Sequence, residues 1–192
     1  RGPSWQFDLD EKNGILAWEG MNMFAVSSLH TYRSTKMVPL VKAASFVRSL
    51  RKQGKTVGLC HGGFDLLHPG HVKHFESAKK HCDVLVVSVT SDRFVEGRKG
   101  AGRPIYPDQL RAYMIASLAV VDYVVITDFK LGVDVIHALQ PSLYIKGSDF
   151  VGKQTPGITA EREAIQSVGG TMVYTKDPKL STSAIIEHIR KS

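Results

Sequence analysis

Thr56-Val57-Gly58-Leu59-Cys60-His61-Gly62-Gly63-Phe64-Asp65-Leu66-Leu67-His68-Pro69-Gly70-His71 decides the reading of this chain. An apolar run of strand length meets a Gly-Gly turn, and Pro69 then opens a helix, the position where proline costs no hydrogen bond. Gly62 and Gly63 are expected to let the backbone approach a ligand. The following helix start offers unpaired N–H groups and a positive dipole end to an anion. His68 and His71 are three residues apart, so both imidazoles fall on one face of the first turn. A phosphate-handling site is the expectation.

The same rhythm continues outward. Apolar runs at 56–60, 83–89, 122–127, 142–146 and 171–175 alternate with helical patterns at 69–81, 107–119, 133–139, 159–168 and 182–190. That alternation is the mark of βα units and a parallel sheet. Runs such as Val84-Leu85-Val86-Val87 imply strands covered on both faces, so the expected fold is α/β, a doubly wound Rossmann-like sheet of about five strands with flanking helices. Ligands in such sheets bind beyond the strand ends where the order reverses, so the segment after the first strand and Lys146-Gly147-Ser148-Asp149 after the fourth should be neighbours. A helix at 39–53 is expected to bury Leu40, Val41, Ala44, Val47 and Leu50. Residues 1–37, with Trp5 and Trp18 but no sustained period, read as an N-terminal extension of unassigned role before a domain at 38–192.

Composition narrows the function. The formal charge is +7 over 192 residues, which invites polyanion binding. Much of the basic charge, however, is divided among two helices and the segment 98–103, with no aromatic-rich basic stripe, and small phosphorylated ligands account for it better than nucleic acid. Cys60 and Cys82, the only cysteines, have no metal-ligand spacing and read as reduced thiols of a cytoplasmic protein. No apolar run approaches membrane-spanning length, so a soluble protein is expected.

Gly62-Gly63-Phe64-Asp65-Leu66-Leu67-His68-Pro69-Gly70-His71 resembles the G-x-F-D-x-x-H-x-G-H signature of the cytidylyltransferase-like nucleotidylyltransferases. Arg98-Lys99-Gly100-Ala101-Gly102-Arg103-Pro104-Ile105, Arg111, Val121-Asp122-Tyr123-Val124-Val125, Lys146-Gly147-Ser148-Asp149-Phe150 and Ser181-Thr182-Ser183 follow in the order of one branch. That branch is the nucleotidylyltransferase domain of bacterial ADP-heptose synthases, and the similarity covers about residues 38–192. The chain departs from it at His61, where the branch tends to carry Asn. It departs from the glycerol-phosphate cytidylyltransferases at Lys176-Asp177-Pro178-Lys179, which lacks their Arg-Thr-x-Gly.

The resemblance implies transfer of a nucleotidyl group from a nucleoside triphosphate, ATP first, to a sugar phosphate such as heptose 1-phosphate, with release of pyrophosphate. The alternatives are a CTP-dependent enzyme acting on a polyol or sugar phosphate and, ranked below it, a non-catalytic nucleotide-binding module. His68, His71, Lys99 and Arg111 are the implied catalytic residues. Gly62, Gly63, Phe64, Asp65, Gly70, Lys146, Gly147, Asp149, Ser181 and Thr182 would hold the nucleotide, and Arg103 and Asp122 the acceptor. Other readings stay open: Arg111 paired with Asp122 as plain structure, 98–103 as a solvated basic loop, 146–149 as a strand-ending turn, Ser181 and Thr182 as helix caps, and Asp65 as holder of the turn or of Mg²⁺. Mg²⁺ is expected to arrive with the triphosphate, since no carboxylate cluster forms an independent site. The family implies a homodimer.

Overall fold

The computed structural model describes residues 8–10, 15–17, 26–100, 102–178 and 180–191. Two compact units divide the chain between Tyr32 and Arg33. In the first, β1 (Asp8–Asp10) pairs antiparallel with β2 (Ile15–Ala17), Asp8 opposite Ala17, and a 3₁₀ turn spans Val26–Thr31. Trp5 and Trp18 lie outside the described residues. The second unit takes up residues 36–38 ahead of its first helix: the Val124 N–H donates to the Lys36 carbonyl and the Val38 N–H to the Val124 carbonyl, so this segment runs beside the sheet edge.

Five strands form that sheet: β3 (Val57–Gly62), β4 (Val84–Thr90), β5 (Tyr123–Thr127), β6 (Leu143–Lys146) and β7 (Thr171–Tyr174). Their order is β5-β4-β3-β6-β7, every pair parallel. The expected strand count, direction and doubly wound α/β class are those observed. The order reverses between β3 and β6, which are hydrogen-bonded neighbours. Their carboxyl ends therefore flank the crevice where such folds place a ligand.

Among the described residues seven helices accompany the sheet: α1 (Leu40–Lys52), α2 (Pro69–Lys79), α3 (Asp92–Lys99), α4 (Asp108–Ala116), α5 (Gly132–Leu139), α6 (Pro156–Ser167) and α7 (Thr182–Lys191). On one face Val57, Leu59, Val86, Val125 and Tyr144 pack with Val47, Ile136, Leu139 and Ile165. On the other, Cys60, Leu85, Val87 and Val89 pack with Phe75, Ala112 and Ile115. Burial on both faces explains why the strands read as continuous apolar runs.

Two details differ from the sequence reading. Val41 is 80% exposed, because the stripe of α1 runs through residues 40, 43, 44 and 47 and position 41 turns away from it. The start of the segment 98–103 is the end of α3 rather than a loop; Val95 is that helix's one buried side chain, so its apolar signal is too thin to read. Among the described residues no helix is long and apolar enough to cross a membrane.

Candidate active site

The turn after β3 is built by side chains that close over it. Phe64 takes a left-handed backbone conformation, φ +43°, which costs a non-glycine residue on the order of 1 kcal/mol or more. Its ring repays this by packing edge-on to Phe75 at 5.2 Å and to His71 at 5.3 Å. The space a Cβ would need at Gly62 is filled by the Phe64 ring, at 3.0 Å, and at Gly63 by Arg98 and Val95. Those two glycines therefore make room for the protein's own side chains, while both also line the cavity described below.

His68 sits just before α2 in extended conformation, Pro69 supplies the first turn, and the N–H groups of His71 and Val72 donate to the His68 carbonyl at 2.9 and 3.3 Å. This brings the two imidazoles into a stack, centroids 3.8 Å apart and planes 17° apart. Both rings line an open cavity of about 470 Å³ at the switch point. Their Nδ1 atoms are buried on the protein side, where the backbone carbonyls of His68 and Leu66 stand by the rings without a hydrogen bond of full geometry. Burial lowers both pKa values, that of His71 to about 3 with help from the neighbouring His68, His74 and Lys99. At neutral pH the pair is uncharged.

Asp65 is the knot of the next layer. Its side chain is fully buried and accepts from Lys99 Nζ at 3.2 Å, Arg103 Nε at 2.6 Å and the Ile105 N–H at 2.6 Å. Burial opposes its ionisation, but the Ile105 N–H, Arg103 and Lys99 together hold its carboxyl below the usual range. Burial also lowers the Lys99 pKa, against the pull of Asp65. The opposite wall rises from β6. Lys146 Nζ lies 2.5 Å from Glu161 Oε2, while Glu161 Oε1 accepts from Tyr144 Oη at 2.9 Å and the Gly132 N–H at 3.0 Å. Lys146 Nζ also stands 4.3 Å from the centre of the Phe150 ring. Gly147, Ser148 and Asp149 continue this wall.

The family model described as cytidylyltransferase-like matches residues 59–188 of this chain. The chain belongs to the cytidylyltransferase-like family. It is similar to the bifunctional protein HldE of a Nitratiruptor species, 41% identical over 145 residues, and to that of Paramagnetospirillum magneticum, 41% over 146. These alignments take in 74% and 76% of the chain but 29% of each relative, so the chain spans less than a third of the length of these two relatives. Among solved structures, the lipopolysaccharide core biosynthesis protein from Thermoplasma volcanium is 25% identical with a TM-score of 0.55, over 66% of this chain and 100% of that one. The pantoate-beta-alanine ligase from Francisella tularensis, 18% identical, shares the fold with a TM-score of 0.54, over 82% and 77% of the two chains.

In this cytidylyltransferase-like protein the cavity brings together His68, His71, Lys99, Gly62, Gly63, Phe64, Asp65, Gly70, Lys146, Gly147, Asp149 and Thr182. Four anticipated residues lie elsewhere. Arg111 is wholly buried behind the turn, donating to the carbonyls of Gly63 and Tyr106 and to Asp92 Oδ1, the last at 2.6 Å; it touches neither the cavity nor Asp122. Asp122 stands at the amino end of β5, held by Lys79 at 2.5 Å and the Leu85 N–H at 2.7 Å, the wrong end of the sheet for a ligand. Arg103 is spent on Asp65. Ser181 accepts from the Ala184 N–H at 3.5 Å, the helix-capping alternative. Asp65 itself holds the turn, since its two oxygens are occupied by three donors. Ala101 lies outside the described residues.

Sequence reasoning missed Glu161, His74, Phe150, Thr175 and Asp177, all at the cavity. Glu161 carried a signal: it shares the buried stripe of α6 with Ile158, Ala164 and Ile165, and a carboxylate on an apolar stripe calls for a buried partner. His74, which meets Thr175 Oγ1 at 3.0 Å, is the next residue at three-residue spacing after His71.

Proposed function

We propose that this protein, a nucleotidylyltransferase by family, transfers the adenylyl group of ATP to the phosphate of a sugar phosphate such as heptose 1-phosphate. A phosphate oxygen of the acceptor attacks the α-phosphorus, the bond from that phosphorus to the bridging oxygen breaks, and the electron pair leaves with pyrophosphate. The attacking oxygen is ionised near neutral pH, so alignment and charge neutralisation are the protein's task. His68 and His71, neutral and stacked, serve as N–H donors to the phosphate chain, with the first turn of α2 beneath them. Lys99 adds a positive charge where negative charge accumulates. The wall of Lys146, Gly147 and Asp149 takes the nucleoside, and the β4 side of the cavity, reached by α3, takes the acceptor. The resemblance to the ADP-heptose synthase branch and the name of the lipopolysaccharide core biosynthesis protein support a sugar-phosphate acceptor.

The single observation that carries this reading is the stacked imidazole pair lining a cavity on the switch point. Among the described residues no group of three or more His, Cys, Asp or Glu side chains could hold a metal ion. In this reading Mg²⁺ enters as part of the substrate, bound to the triphosphate. The test is pyrophosphate release with ATP, CTP, GTP and UTP, each with Mg²⁺, over a panel of sugar and polyol phosphates. Fastest release with ATP and a heptose 1-phosphate is expected. Fastest release with CTP and a polyol phosphate would move the assignment to a cytidylyltransferase, and binding without release in every pairing would make the protein a non-catalytic module.

A further inference from the structure

A row of polar side chains crosses the carboxyl ends of three strands that are otherwise apolar. His61 Nδ1 meets Ser88 Oγ at 3.0 Å, and Ser88 Oγ meets Thr127 Oγ1 at 2.8 Å. Ser88 is 0% and Thr127 2% exposed, so their hydroxyls are withdrawn from water and depend on this row for partners. His61 and Thr90 line the cavity, and the other ring nitrogen of His61, Nε2, lies 3.4 Å from Thr90 Oγ1.

The direction of the row follows from counting donors. Thr127 Oγ1 donates to the Val89 carbonyl at 3.5 Å. Ser88 then donates to Thr127, and the free lone pair of Ser88 accepts from His61 Nδ1–H. The reverse direction would forfeit the bond to Val89, and buried hydroxyls favour the arrangement that satisfies more of them. Burial lowers the His61 pKa to about 4, so the ring carries one proton at neutral pH. With that proton on Nδ1, Nε2 is an acceptor. Its neighbour Thr90 is a weak partner at 3.4 Å, one that a ligand hydroxyl can replace or join.

We propose that His61, fixed in its Nδ1–H form by Ser88 and Thr127, accepts a hydrogen bond from a hydroxyl of the acceptor and so selects polyhydroxylated phosphate monoesters. This rests on the reading above that the acceptor occupies the β4 side of the cavity, where the His61 ring is turned. Ser88 and Thr127 are positioning residues that act through the ring. A buried acceptor atom aimed at a substrate hydroxyl discriminates strongly against the analogue that lacks it, because the ring nitrogen is then left unpaired.

Two measurements test this. In the first, wild type, His61→Leu and Ser88→Ala are assayed with heptose 1-phosphate and its monodeoxy analogues. His61→Leu is expected to raise the acceptor KM about tenfold or more with triphosphate affinity changed less than about twofold. One deoxy analogue should be poor for wild type yet no worse than the parent sugar for His61→Leu. A triphosphate affinity that falls as far as the acceptor KM rises would overturn the proposal, as would an unchanged acceptor KM. The second needs no turnover. The ring ¹⁵N signals of His61 are followed while wild type is titrated with heptose 1-phosphate and, separately, with a non-hydrolysable ATP analogue. Expected are an Nδ1–H signature in the free protein, its loss in Ser88→Ala, and a shift with the sugar phosphate. A Nε2–H signature, or a shift with the ATP analogue alone, overturns it. If wild type releases no pyrophosphate with any acceptor, the transferase reading fails and the titration still decides the role of His61.

Discussion

The rings of His68 and His71 lie face to face, 3.8 Å between centroids, so neither can shift without displacing the other. Replacing either by alanine is expected to lower kcat about 10²- to 10³-fold. Because the two act as a unit, the double variant should be only slightly worse than the poorer single one. Steady-state pyrophosphate release measures this, with far-ultraviolet circular dichroism as the control for folding. Multiplying losses would show that the rings work independently.

Arg111 ties the turn to α3 from inside the protein. Its guanidinium is 0% exposed and bonded to Asp92 and to the Gly63 and Tyr106 carbonyls. Arg111→Ala leaves two carbonyls and a carboxylate short of a donor, and a loss of about 3–5 kcal/mol is expected in urea unfolding. Lysine cannot reproduce the fork and should recover little of it. An Arg111→Lys variant of wild-type stability would show that the guanidinium fork is not what holds the turn to α3.

Acid should unfold this protein earlier than its carboxylates alone require. Burial lowers the pKa of His61 to about 4 and of His71 to about 3, against 6.5 for a free imidazole. Below about pH 6.5 the unfolded chain takes up protons that the folded chain refuses, so stability falls with falling pH until the folded pKa values are reached. At pH 5 each ring accounts for about 2 kcal/mol of lost stability. Thermal unfolding at pH 7, 6 and 5 checks the slope, and His71→Asn should flatten it. A flat wild-type profile would contradict the buried neutral rings.

Glu161 and Lys146 separate charge from packing on the cavity wall that rises from β6. Glu161→Ala strands a buried ammonium, and a loss of about 3 kcal/mol or more is expected. Glu161→Gln keeps the shape and an amide oxygen for Tyr144 and the Gly132 N–H, so it should lose less stability while freeing Lys146 from its counter-charge. Calorimetric titration with a non-hydrolysable ATP analogue reads the consequence: the Gln variant should bind the triphosphate at least as tightly as wild type, and weaker binding would show that the carboxylate is needed to aim the lysine.

The strands were legible because burial on both faces leaves an unbroken apolar record, as in Val84-Leu85-Val86-Val87. The paired histidines were legible because a Gly-Gly turn, a proline and a three-residue spacing are local signals. Arg111 and Asp122 were not. Each makes its bonds to residues between 5 and 48 positions away, and only the assembled sheet tells that one lies behind the turn and the other at the far end of the strands. Likewise α3, with a single buried valine, is held by Arg111 and Asp65 more than by its own pattern.

The grip of Asp65 on Lys99 means that the resting protein never presents that ammonium bare. On the proposed function, a phosphate recruiting it would exchange one anion for another, and a departing product would hand it back to the carboxylate 3.2 Å away. Release of a highly charged product would thereby be spared the penalty of abandoning an isolated cation in a poorly hydrated corner, and the proposed turnover would acquire a built-in reset at the end of α3.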